Sequence, residues 1–461
     1  MPYVSLNPST NQVLLTHTSW DSARLAAALT QAHSAQQTWA QTPMPRRAEV
    51  LREVAAHLRA QADSYAALIT QEMGKLLREA RAEVEKCASG CDFYAHHAAE
   101  FLREETVQTD AGKSYVAYYP LGVVLAVMPW NFPFWQVFRA AAPALMAGNA
   151  IVLKHASNVP QCALALEKIF KAGGLPDGLF TTLMIESDQV ADAIAHPAVQ
   201  AVTLTGSETA GRKVAACAGQ HLKKCVLELG GSDPFIVLRD ADIEFTAEQA
   251  VASRFLNCGQ SCIAAKRFIL VPEIAEAFLQ AFRAKVEALQ CGDPTQDATD
   301  IGPMARLDLR ETLHHQVMDS IAQGAVALTG CKPRDGRGNF YPASILDRVT
   351  EKARAYHEEL FGPVAVVIRA LDEADALRIA NQTRFGLGSS IWSQDVVHAE
   401  LLAVQLQAGC TFINGMVKSD PRLPFGGVKA SGFGRELSQH GIREFVNVKT
   451  VWIRRVGASE G

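Results

Sequence analysis

The 461-residue sequence lacks several features that identify specialised classes of protein. No two of its ten cysteines have Cys-x-x-Cys spacing, so the pattern gives no support for a tetrahedral zinc site. Its apolar runs are too short to cross a bilayer, and it has no block of like charges. The net charge of −4 implies no attraction to nucleic acid or to a membrane surface. What is present is a hydrophobic content of 48%, which is typical of a folded globular protein.

The chain also has no basic and apolar leader pattern, no internal repeat and no low-complexity linker. We therefore expect a cytoplasmic protein with free thiols rather than a disulfide framework. Cys258 and Cys262 lie four residues apart, and a regulatory disulfide between them is a minor alternative. The length exceeds that of one ordinary core, so two or three lobes are expected.

The spacing of apolar residues predicts a helix-rich region over residues 19–103. Within it, residues 46–70 are predicted to form a helix, and residues 72–99 continue the helical pattern with alternating charge on the outer face. We expect this region to serve packing and to hold no chemistry. From residue 122 to 229, strand and helix patterns alternate, which predicts an open parallel sheet covered by helices.

A second alternating series of strands and helices extends over residues 246–414 and predicts a second α/β lobe. Its border with the first lies near residues 229–231, where two glycines follow a strand. Residues 445–453 alternate like a strand that belongs to neither lobe. We expect this strand to pair with the hairpin around Ser114 or with another subunit.

Cys262 ends a glycine-bearing turn, Asn-Cys-Gly-Gln-Ser-Cys at residues 257–262, between a predicted helix and a buried strand. Gly259 allows a backbone or a ligand to come close, and a thiol in such a turn can be partly exposed, as a nucleophile must be. A buried cysteine without chemistry is the alternative, and this turn alone does not decide between the two.

Three polar stretches follow predicted parallel strands, at the edge where open α/β sheets bind ligands. Lys154 can reach a ribose or a 2′-phosphate, and Asn131 lies between two prolines that hold its amide as an oxyanion donor. Gly206 and Ser207 open a helix whose N-terminus suits a phosphate, although the spacing is not Gly-x-Gly-x-x-Gly. A solvated lysine, a turn asparagine and a capping serine are the structural alternatives.

Two acidic stretches complete the candidate chemistry. Glu228 lies inside an apolar strand, where desolvation would raise its pKa and suit a general base; an ion-paired structural glutamate is the alternative. Glu358, Glu359 and Phe361 lie just before a later strand. They can hold a ribose diol and press on a ring, or they can form an exposed acidic helix end.

Taken together, these stretches resemble the aldehyde dehydrogenase superfamily over essentially the whole chain. The motifs that carry the resemblance are Pro-Trp-Asn-Phe-Pro at 129–133, Thr-Gly-Ser at 205–207, Leu-Glu-Leu-Gly-Gly at 227–231, Gly-Gln-Ser-Cys at 259–262, Glu-Leu-Phe-Gly-Pro at 359–363 and Pro-Phe-Gly-Gly at 424–427. Local stretches at residues 154–156, 228–237 and 419–422 are most similar to the bacterial succinate-semialdehyde dehydrogenases. The resemblance implies NAD(P)-dependent oxidation of succinate semialdehyde to succinate, with another small aliphatic aldehyde as the alternative substrate.

The same resemblance implies a role for each residue. Cys262 would form a thiohemiacetal and then a thioester, Glu228 would activate water, and Asn131 with the backbone N–H of Cys262 would form the oxyanion hole. No metal is implied. The residues implied to bind the dinucleotide are Trp130, Asn131, Lys154, His155, Ala156, Ser157, Gly206, Ser207, Leu229, Glu359 and Phe361.

The fold implied by these patterns and by the resemblance is α/β. It has two open lobes, a Rossmann-like cofactor domain and a catalytic thiol domain, plus a small bridging β-hairpin with a C-terminal strand. We assign residues 1–105 and 120–229 to the dinucleotide-binding domain, 230–434 to the catalytic domain, and 106–119 and 435–461 to bridging and oligomerisation. Family members are usually dimers or tetramers, so a homodimer or homotetramer is expected.

Two departures from the family pattern bear on specificity. Many members that prefer NAD have a glutamate where this chain has Ser157, so we predict that NADP is accepted, alone or together with NAD. Some relatives bind the succinate carboxylate through an arginine that Arg139 matches, and Ser419 is assigned to the same site. Those relatives use a second arginine, six residues before the cysteine, where this chain has Leu256. Arg254 is nearby but points in a different helical direction.

Two other classes of protein are weighed against this prediction. A cysteine hydrolase or acyltransferase would share the thiol and the oxyanion hole, but it would normally use a histidine base and need no phosphate site. A non-catalytic protein on this fold should have lost Cys262 or Glu228, and the sequence keeps both.

Overall fold

The computed structural model describes residues 3–454. Residues 1–2 and 455–461, which belong to the predicted dinucleotide-binding and bridging segments, lie outside the described residues. The α-helices are α1 (Ser22–Ala40), α2 (Met44–Ala60), α3 (Ala62–Met73), α4 (Leu77–Phe101), α5 (Trp135–Ala147), α6 (Pro160–Ala172), α7 (Val190–Ala195), α8 (Glu208–Gln220), α9 (Ile243–Phe255), α10 (Pro272–Glu287), α11 (Leu307–Ala322), α12 (Arg354–His357), α13 (Glu373–Asn381), α14 (Val396–Ala403) and α15 (Ser438–Glu444).

Strands form mainly where the sequence has short, β-branched apolar runs. They are β1 (Tyr3–Leu6), β2 (Val13–His17), β3 (Glu105–Thr106), β4 (Lys113–Pro120), β5 (Val123–Met128), β6 (Ala150–His155), β7 (Phe180–Thr182), β8 (Val199–Thr205), β9 (Lys224–Glu228), β10 (Asp233–Val237), β11 (Ala265–Leu270), β12 (Val326–Thr329), β13 (Ser344–Asp347), β14 (Val364–Arg369), β15 (Gly388–Trp392), β16 (Cys410–Ile413), β17 (Gly432–Phe433) and β18 (Val446–Ile453).

The helix predicted over residues 46–70 is two helices, so this prediction was wrong. The chain leaves the helical conformation at Gln61, where φ is −115° and ψ is 19°. Buried apolar residues continue on both sides of the break, and for this reason the periodicity did not reveal it. In the part of the chain that the structure describes, no helix is both long and apolar enough to cross a membrane.

The first sheet has the strand order β17-β9-β8-β5-β6-β7. Strands β5 to β9 pair in parallel, as the alternation over residues 122–229 predicted, and the short β17 adds an antiparallel edge. The carboxyl ends of β5, β6, β8 and β9 therefore lie along one edge of the sheet. That edge carries Met128, His155, Thr205 and Glu228.

The second sheet has the order β12-β13-β14-β11-β10-β15-β16, with only the β12–β13 pair antiparallel among the described strands. Cys262 precedes β11 and Phe361 precedes β14, and these two strands pair in parallel. Both residues thus lie at the amino edge of the second sheet. This edge meets the carboxyl edge of the first sheet, since Asn131 and Gln260 are joined across it by a hydrogen bond of 3.0 Å.

A three-stranded sheet of order β18-β4-β3 lies apart from the two large sheets. The C-terminal strand β18 pairs antiparallel with β4 of the same chain over its full length, from Val446 opposite Pro120 to Ile453 opposite Lys113. Pairing with the hairpin, one of the two predicted partners, is therefore the arrangement found. The preceding helix α15 packs on the core of the first sheet.

Candidate active site

Cys262 lies beyond a strained turn that follows α9. The backbones of Asn257 and Cys258 each have φ of 55°, and Gly259 has φ of 68°, so three successive residues are left-handed. Gly259 must be glycine for a second reason, because a Cβ atom there would lie 2.4 Å from the Gly362 carbonyl oxygen. Strain of this kind persists only where surrounding contacts enforce it.

Arg254 is one source of that enforcement. Its side chain is fully buried, and its guanidinium donates to the carbonyl oxygens of Val364 at 2.8 Å, Leu360 at 2.9 Å and Gly362. Burial lowers the pKa of Arg254 to about 9. Because its N–H donors are already bonded to backbone carbonyl oxygens, Arg254 does not take the place of the substrate-binding arginine that some relatives have at the position of Leu256.

Lys266 is the second source, and sequence reasoning missed it. Its ammonium is 1% exposed and donates to the carbonyl oxygens of Ser261 and Cys262, both at 2.8 Å. It also pairs with Glu359 at 3.2 Å. The only available signal was a pair of cations, Lys266 and Arg267, at the start of a strand that continues as an apolar run. Lys266 links the backbone of the thiol residue to the glutamate predicted to hold a ribose.

Asn131 is held in one orientation from both ends of its amide. Its Nδ2 donates to the Gln260 carbonyl at 3.0 Å, and its Oδ1 accepts from Gln136 Nε2 at 3.0 Å. The Asn257 amide spans the same gap, donating to the Asn131 carbonyl at 2.7 Å. An amide group has two N–H bonds, so the second donor of Asn131 is available beside the thiol loop.

Glu228, at the end of β9, is 2% exposed, and neither carboxylate oxygen has a hydrogen-bond partner among the described residues. Burial and the negative charge of Glu436 raise the pKa of Glu228 well above its usual range, while Arg139 opposes the shift. The raised pKa predicted for Glu228 is therefore present. Glu436 is the second buried carboxylate of the site and was missed from the sequence.

Arg139 pairs with Glu436 and donates from Nη2 to Thr205 Oγ1 at 3.3 Å. Its guanidinium carbon lies 4.7 Å from the centre of the Phe425 ring, and the residue is 3% exposed. Its charge thus balances buried carboxylates of the protein itself. This pairing argues against the predicted contact between Arg139 and a substrate carboxylate.

Cys262 is half-buried and opens into a cavity of about 90 Å³. Burial raises the pKa of its thiol to about 12, and the nearby charges of Arg139 and Lys266 oppose this shift. The resting thiol is therefore protonated near neutral pH. The cavity, called here the substrate-side cavity, is lined by Lys86, Phe132, Trp135, Gln136, Arg139, Ser253, Leu256, Ser261, Cys262, Ile263, Ala264, Met416, Val417, Lys418, Ser419 and Phe425.

Ser419, predicted to bind substrate, does line this cavity. Its hydroxyl oxygen accepts from Lys86 Nζ at 2.7 Å and from Trp135 Nε1 at 3.0 Å. Cys258 does not line it; burial raises the pKa of its thiol well above the usual range. Cys258 and Cys262 are both free thiols, and the disulfide between them stays a hypothesis.

The charges of α4 are not all on an outer face, so that prediction was wrong. Glu83 is 3% exposed, pairs with the buried Lys75 and accepts the backbone N–H groups of Phe134 and Trp135 at 2.9 and 3.0 Å. It thereby caps the segment that follows the Pro-Trp-Asn-Phe-Pro motif. Glu79, one turn earlier, accepts the Asn257 N–H at 3.1 Å. One face of α4 supports both active-site loops.

The nucleotide side of the site comprises two larger cavities, of about 590 and 530 Å³. The first is lined by Lys154, Ser207 and other residues near the carboxyl edge of the first sheet. Burial lowers the pKa of Lys154, which is 7% exposed, and Ser157 is exposed in the turn after β6. Ser207 caps α8 and accepts the Ala210 N–H at 3.3 Å, while Gly206 precedes it in the turn.

The second cavity is lined by Ser207, Gly230 and Glu359. Gly230 is held close to Glu359, since a Cβ atom on it would lie 2.3 Å from the Glu359 carboxylate. Leu229 is 5% exposed, with its N–H bound to the Ser431 carbonyl at 2.9 Å. A carboxylate, a helix N-terminus and a buried lysine along two connected cavities fit the ribose and phosphate groups of a dinucleotide.

The remaining predicted cofactor residues are placed as follows. Trp130 and Phe361 meet edge to face, with ring centres 5.8 Å apart, at the junction of the two sheets. His155 is buried; its Nε2 contacts the Pro133 carbonyl at 2.8 Å, and burial lowers its pKa to about 4. This contact gives His155 a role in holding the motif loop, so its predicted cofactor contact, like that of Ala156, stays a prediction.

No histidine lines the cavity beside Cys262, among the residues that the structure describes. Within residues 3–454, no group of three or more His, Cys, Asp and Glu side chains is arranged to hold a metal ion. The polar groups that line this cavity are amide, hydroxyl and cationic side chains, and the buried carboxylate of Glu228 acts on the thiol from nearby. This set suits addition of a thiol to a carbonyl, followed by attack of water.

Comparison with known proteins identifies relatives in the same family that the sequence motifs resemble. A relative from Synechocystis, named as a probable NADP+ succinate-semialdehyde dehydrogenase, is 50% identical over 453 residues, which are 98% of this chain and 100% of the relative. An Escherichia coli succinate semialdehyde dehydrogenase for NAD(P)+ is 47% identical, covering 98% of each chain. The crystal structure of the Streptococcus pyogenes succinic semialdehyde dehydrogenase with NADP+ superposes with a TM-score of 0.96 at 38% identity, over 98% of this chain and 100% of that one.

A family profile described as the aldehyde dehydrogenase family matches residues 2–451. The match confirms the resemblance carried by the six motifs, and the structural likeness confirms the α/β fold class. On the sequence match and the shared fold, the chain belongs to the aldehyde dehydrogenase family.

Proposed function

We propose that this protein oxidises succinate semialdehyde to succinate with NADP+, with Cys262 as the nucleophile. The observation that carries the proposal is the convergence of three groups at the junction of the two sheets. These are the half-buried thiol of Cys262, the oriented amide of Asn131 and the buried carboxylate of Glu228, whose oxygens have no hydrogen-bond partner within residues 3–454. The names of the similar proteins supply the substrate and the cofactor.

The chemistry begins when the Cys262 thiol loses its proton to a water molecule and its Sγ adds to the aldehyde carbon. Asn131 Nδ2 and the backbone N–H of Cys262 donate to the oxygen as it becomes negative. The positive charges of Arg139 and Lys266 favour the thiolate. Together these groups stabilise the thiohemiacetal.

When bound, NADP+ supplies the acceptor for the hydride that leaves the thiohemiacetal carbon. Cys262 then carries the acyl group as a thioester. Glu228 takes a proton from the water that attacks the thioester, and its raised pKa makes its carboxylate a stronger base than an ordinary glutamate. Cleavage of the C–S bond releases the acid and restores the thiol.

Lys154, Ser157, Ser207 and Glu359 are proposed to hold the cofactor. The exposed Ser157 has no negative charge to repel a 2′-phosphate, and the buried ammonium of Lys154 lies in the adjacent cavity. These features favour NADP+ and leave NAD+ as a weaker cofactor.

We also propose that the chain is divided into a dinucleotide-binding domain (1–105 and 120–229), a catalytic domain (230–434) and bridging elements (106–119 and 435–461). Two separate buried apolar clusters support the first two parts. A homodimer or homotetramer is proposed from the bridging sheet, on which Tyr119, Val448 and Trp452 are large, exposed apolar residues. Light scattering of the purified protein tests it, and a monomer would contradict it.

A cytoplasmic location is proposed as well. All ten cysteines, which lie within the described residues, are free thiols, and reducing compartments keep thiols in this state. Fractionation of the source cells with an antibody against the protein tests the location.

The function is tested by following NADPH absorbance with succinate semialdehyde. The wild-type protein should turn over, and Cys262→Ala should lose roughly 10⁴-fold or more in kcat, as removal of a catalytic nucleophile does elsewhere. Hydrolysis of a thioester or ester substrate without NADPH formation by the wild-type protein would instead support a cysteine hydrolase. Equal turnover by Cys262→Ala would contradict the assignment of the nucleophile.

A further inference from the structure

The substrate-side cavity is lined by two cations, the buried Arg139 and the half-buried Lys86, that differ in what surrounds them. Arg139 is ion-paired with Glu436, bonded to Thr205 and covered by Phe425. Its charge is therefore compensated before any ligand enters. The second cation, Lys86, projects from α4 and has no such partner.

Lys86 Nζ donates to Ser419 Oγ at 2.7 Å and lies 4.6 Å from the centre of the Trp135 ring. No carboxylate is ion-paired with it in the described part of the chain; Glu83 and Asp420 act on it only through weaker, longer-range attraction. An ammonium has three N–H donors, and Ser419 uses one of them. Burial, together with the positive charge of Arg139, lowers the pKa of Lys86 to about 8.

The cavity around Lys86 also holds polar atoms that the protein leaves without partners. The hydroxyl of Ser253 and the side-chain carbonyl oxygen of Gln136 are buried, line this cavity and have no hydrogen-bond partner among the described residues. Of the two, only the Ser253 hydroxyl can donate to a carboxylate. Buried polar atoms are normally hydrogen-bonded, so orphaned ones in a cavity wall indicate a polar ligand. Phe132 and Ile263 line the same cavity and suit an aliphatic chain.

We propose that Lys86 binds the distal carboxylate of an ω-carboxy aldehyde whose carbonyl carbon lies at Cys262. The proposal rests on the proposed function and deepens it. It assigns carboxylate recognition to a helix outside the family motifs, at a position that compensates for Leu256. Ser419 acts as the positioning residue, because its hydroxyl holds Lys86 Nζ and Trp135 Nε1 together.

The first experiment compares Lys86→Met with the wild-type protein on succinate semialdehyde and on butanal, which has the same chain length without the carboxylate. A charge-assisted hydrogen bond predicts a fall of about 10- to 100-fold in kcat/KM for succinate semialdehyde, mostly through KM. The kcat/KM for butanal should stay near the wild-type value, because methionine keeps the apolar stem. Thermal unfolding checks that the variant is folded.

Lys418→Met is the matched control, since Lys418 lines the same cavity but is exposed to solvent. It should change KM for succinate semialdehyde much less than Lys86→Met does. An equal rise in KM for the two substitutions would mean that the overall positive charge at the mouth of the cavity, and not Lys86 in particular, attracts the substrate. That result would overturn the proposal.

A second measurement separates failure of this proposal from failure of the proposed function. Succinate is tested as a competitive inhibitor of butanal oxidation, which needs no assumption about the natural aldehyde. In Lys86→Met, the inhibition constant for succinate should rise by about tenfold or more. An unchanged constant, or an equal loss on both aldehydes, overturns the role of Lys86. A wild-type protein without preference for succinate semialdehyde overturns the substrate instead.

Discussion

The nucleotide-side cavities and the substrate-side cavity differ in size and in the origin of their walls. The former measure about 590 and 530 Å³, the latter about 90 Å³. The larger cavities share Ser207 and Thr209 at the start of α8, and the one of about 590 Å³ is otherwise lined mainly by α7, α8 and strand ends of the first sheet. The smaller is lined by side chains from distant parts of the chain, including Lys86, Cys262 and Ser419.

The difference shows how the two kinds of site are specified. A strand followed by a polar turn and a helix makes a phosphate site from local backbone geometry, so a short motif is enough. Binding of a small carboxylate needs charges brought together by packing, and no single segment contains them. Cofactor recognition should therefore respond to changes in one turn, and substrate recognition to changes in a remote helix.

The largest expected effect tests whether α4 supports the substrate side. In Glu83→Gln, the buried Lys75 loses its partner, which should cost about 3–5 kcal/mol of unfolding free energy. Glu85→Gln is the matched control, because Glu85 lies on the exposed side of the same helix and its pairing with Arg59 is worth about 1 kcal/mol or less. Denaturant titration measures both. Equal losses would remove the distinction between the two faces of α4.

The next effect tests whether the junction of the sheets provides the oxyanion donor. Asn131→Ala should lower kcat by roughly 10²- to 10³-fold, because one preorganised donor to the developing charge is removed. NADP+ affinity, measured by fluorescence titration, should stay near the wild-type value. A preserved kcat with weakened cofactor binding would place Asn131 on the nucleotide side instead.

A smaller effect tests whether the turn after β6 alone determines the preference between NADP+ and NAD+. Ser157→Glu places a negative charge in the turn after β6, and repulsion should lower kcat/KM for NADP+ by roughly 10- to 100-fold. The kcat/KM for NAD+ should hold or rise, because a carboxylate can bind a ribose diol. Ser157→Gln, of the same length without the charge, should have little effect. Equal losses of kcat/KM with both cofactors would contradict recognition of the 2′-phosphate by this turn.

The smallest effect is a pH dependence of the substrate side. Lys86 is charged below its lowered pKa of about 8, so kcat/KM for succinate semialdehyde relative to butanal should be constant below pH 8. Above it, the ratio should fall by about tenfold per pH unit as the ammonium is lost. Titration of Cys262 and Glu228 affects both aldehydes and cancels in the ratio.

The groups that act on Lys86 do not change this expectation. Glu83 on α4 and Asp420 beyond β16 favour its charged form, as a Cys87 thiolate would, while Arg139 on α5 disfavours it. Burial raises the pKa of the Cys87 thiol well above its usual range, so Cys87 stays neutral across these pH values. A ratio that is flat through pH 9 would contradict the assignment.

Much of the fold and of the reactive centre could be predicted because both depend on local patterns. Helix α6, one of the helices in the alternation predicted over residues 122–229, has local boundary signals, since Pro160 starts it and a pair of glycines follows its end. Asn131, Glu228 and Cys262 were identified because each is a polar residue in a segment that otherwise reads as strand or turn. The break at Gln61 was not foreseen, because the apolar face continues across it.

The family, the parallel sheets, and the thiol with its two candidate partner groups can be read from the sequence, because strand ends and turns carry their own signal. Only the packing of α4 against α5 buries the pair of Lys75 and Glu83 and places the half-buried Lys86 at the substrate-side cavity; in the sequence all three residues read as part of an ordinary solvated helix. Tertiary structure also decided that Arg139 is paired with Glu436 while Lys86 is not. Whether a charge is compensated depends on neighbours distant in the chain, and no local pattern contains them.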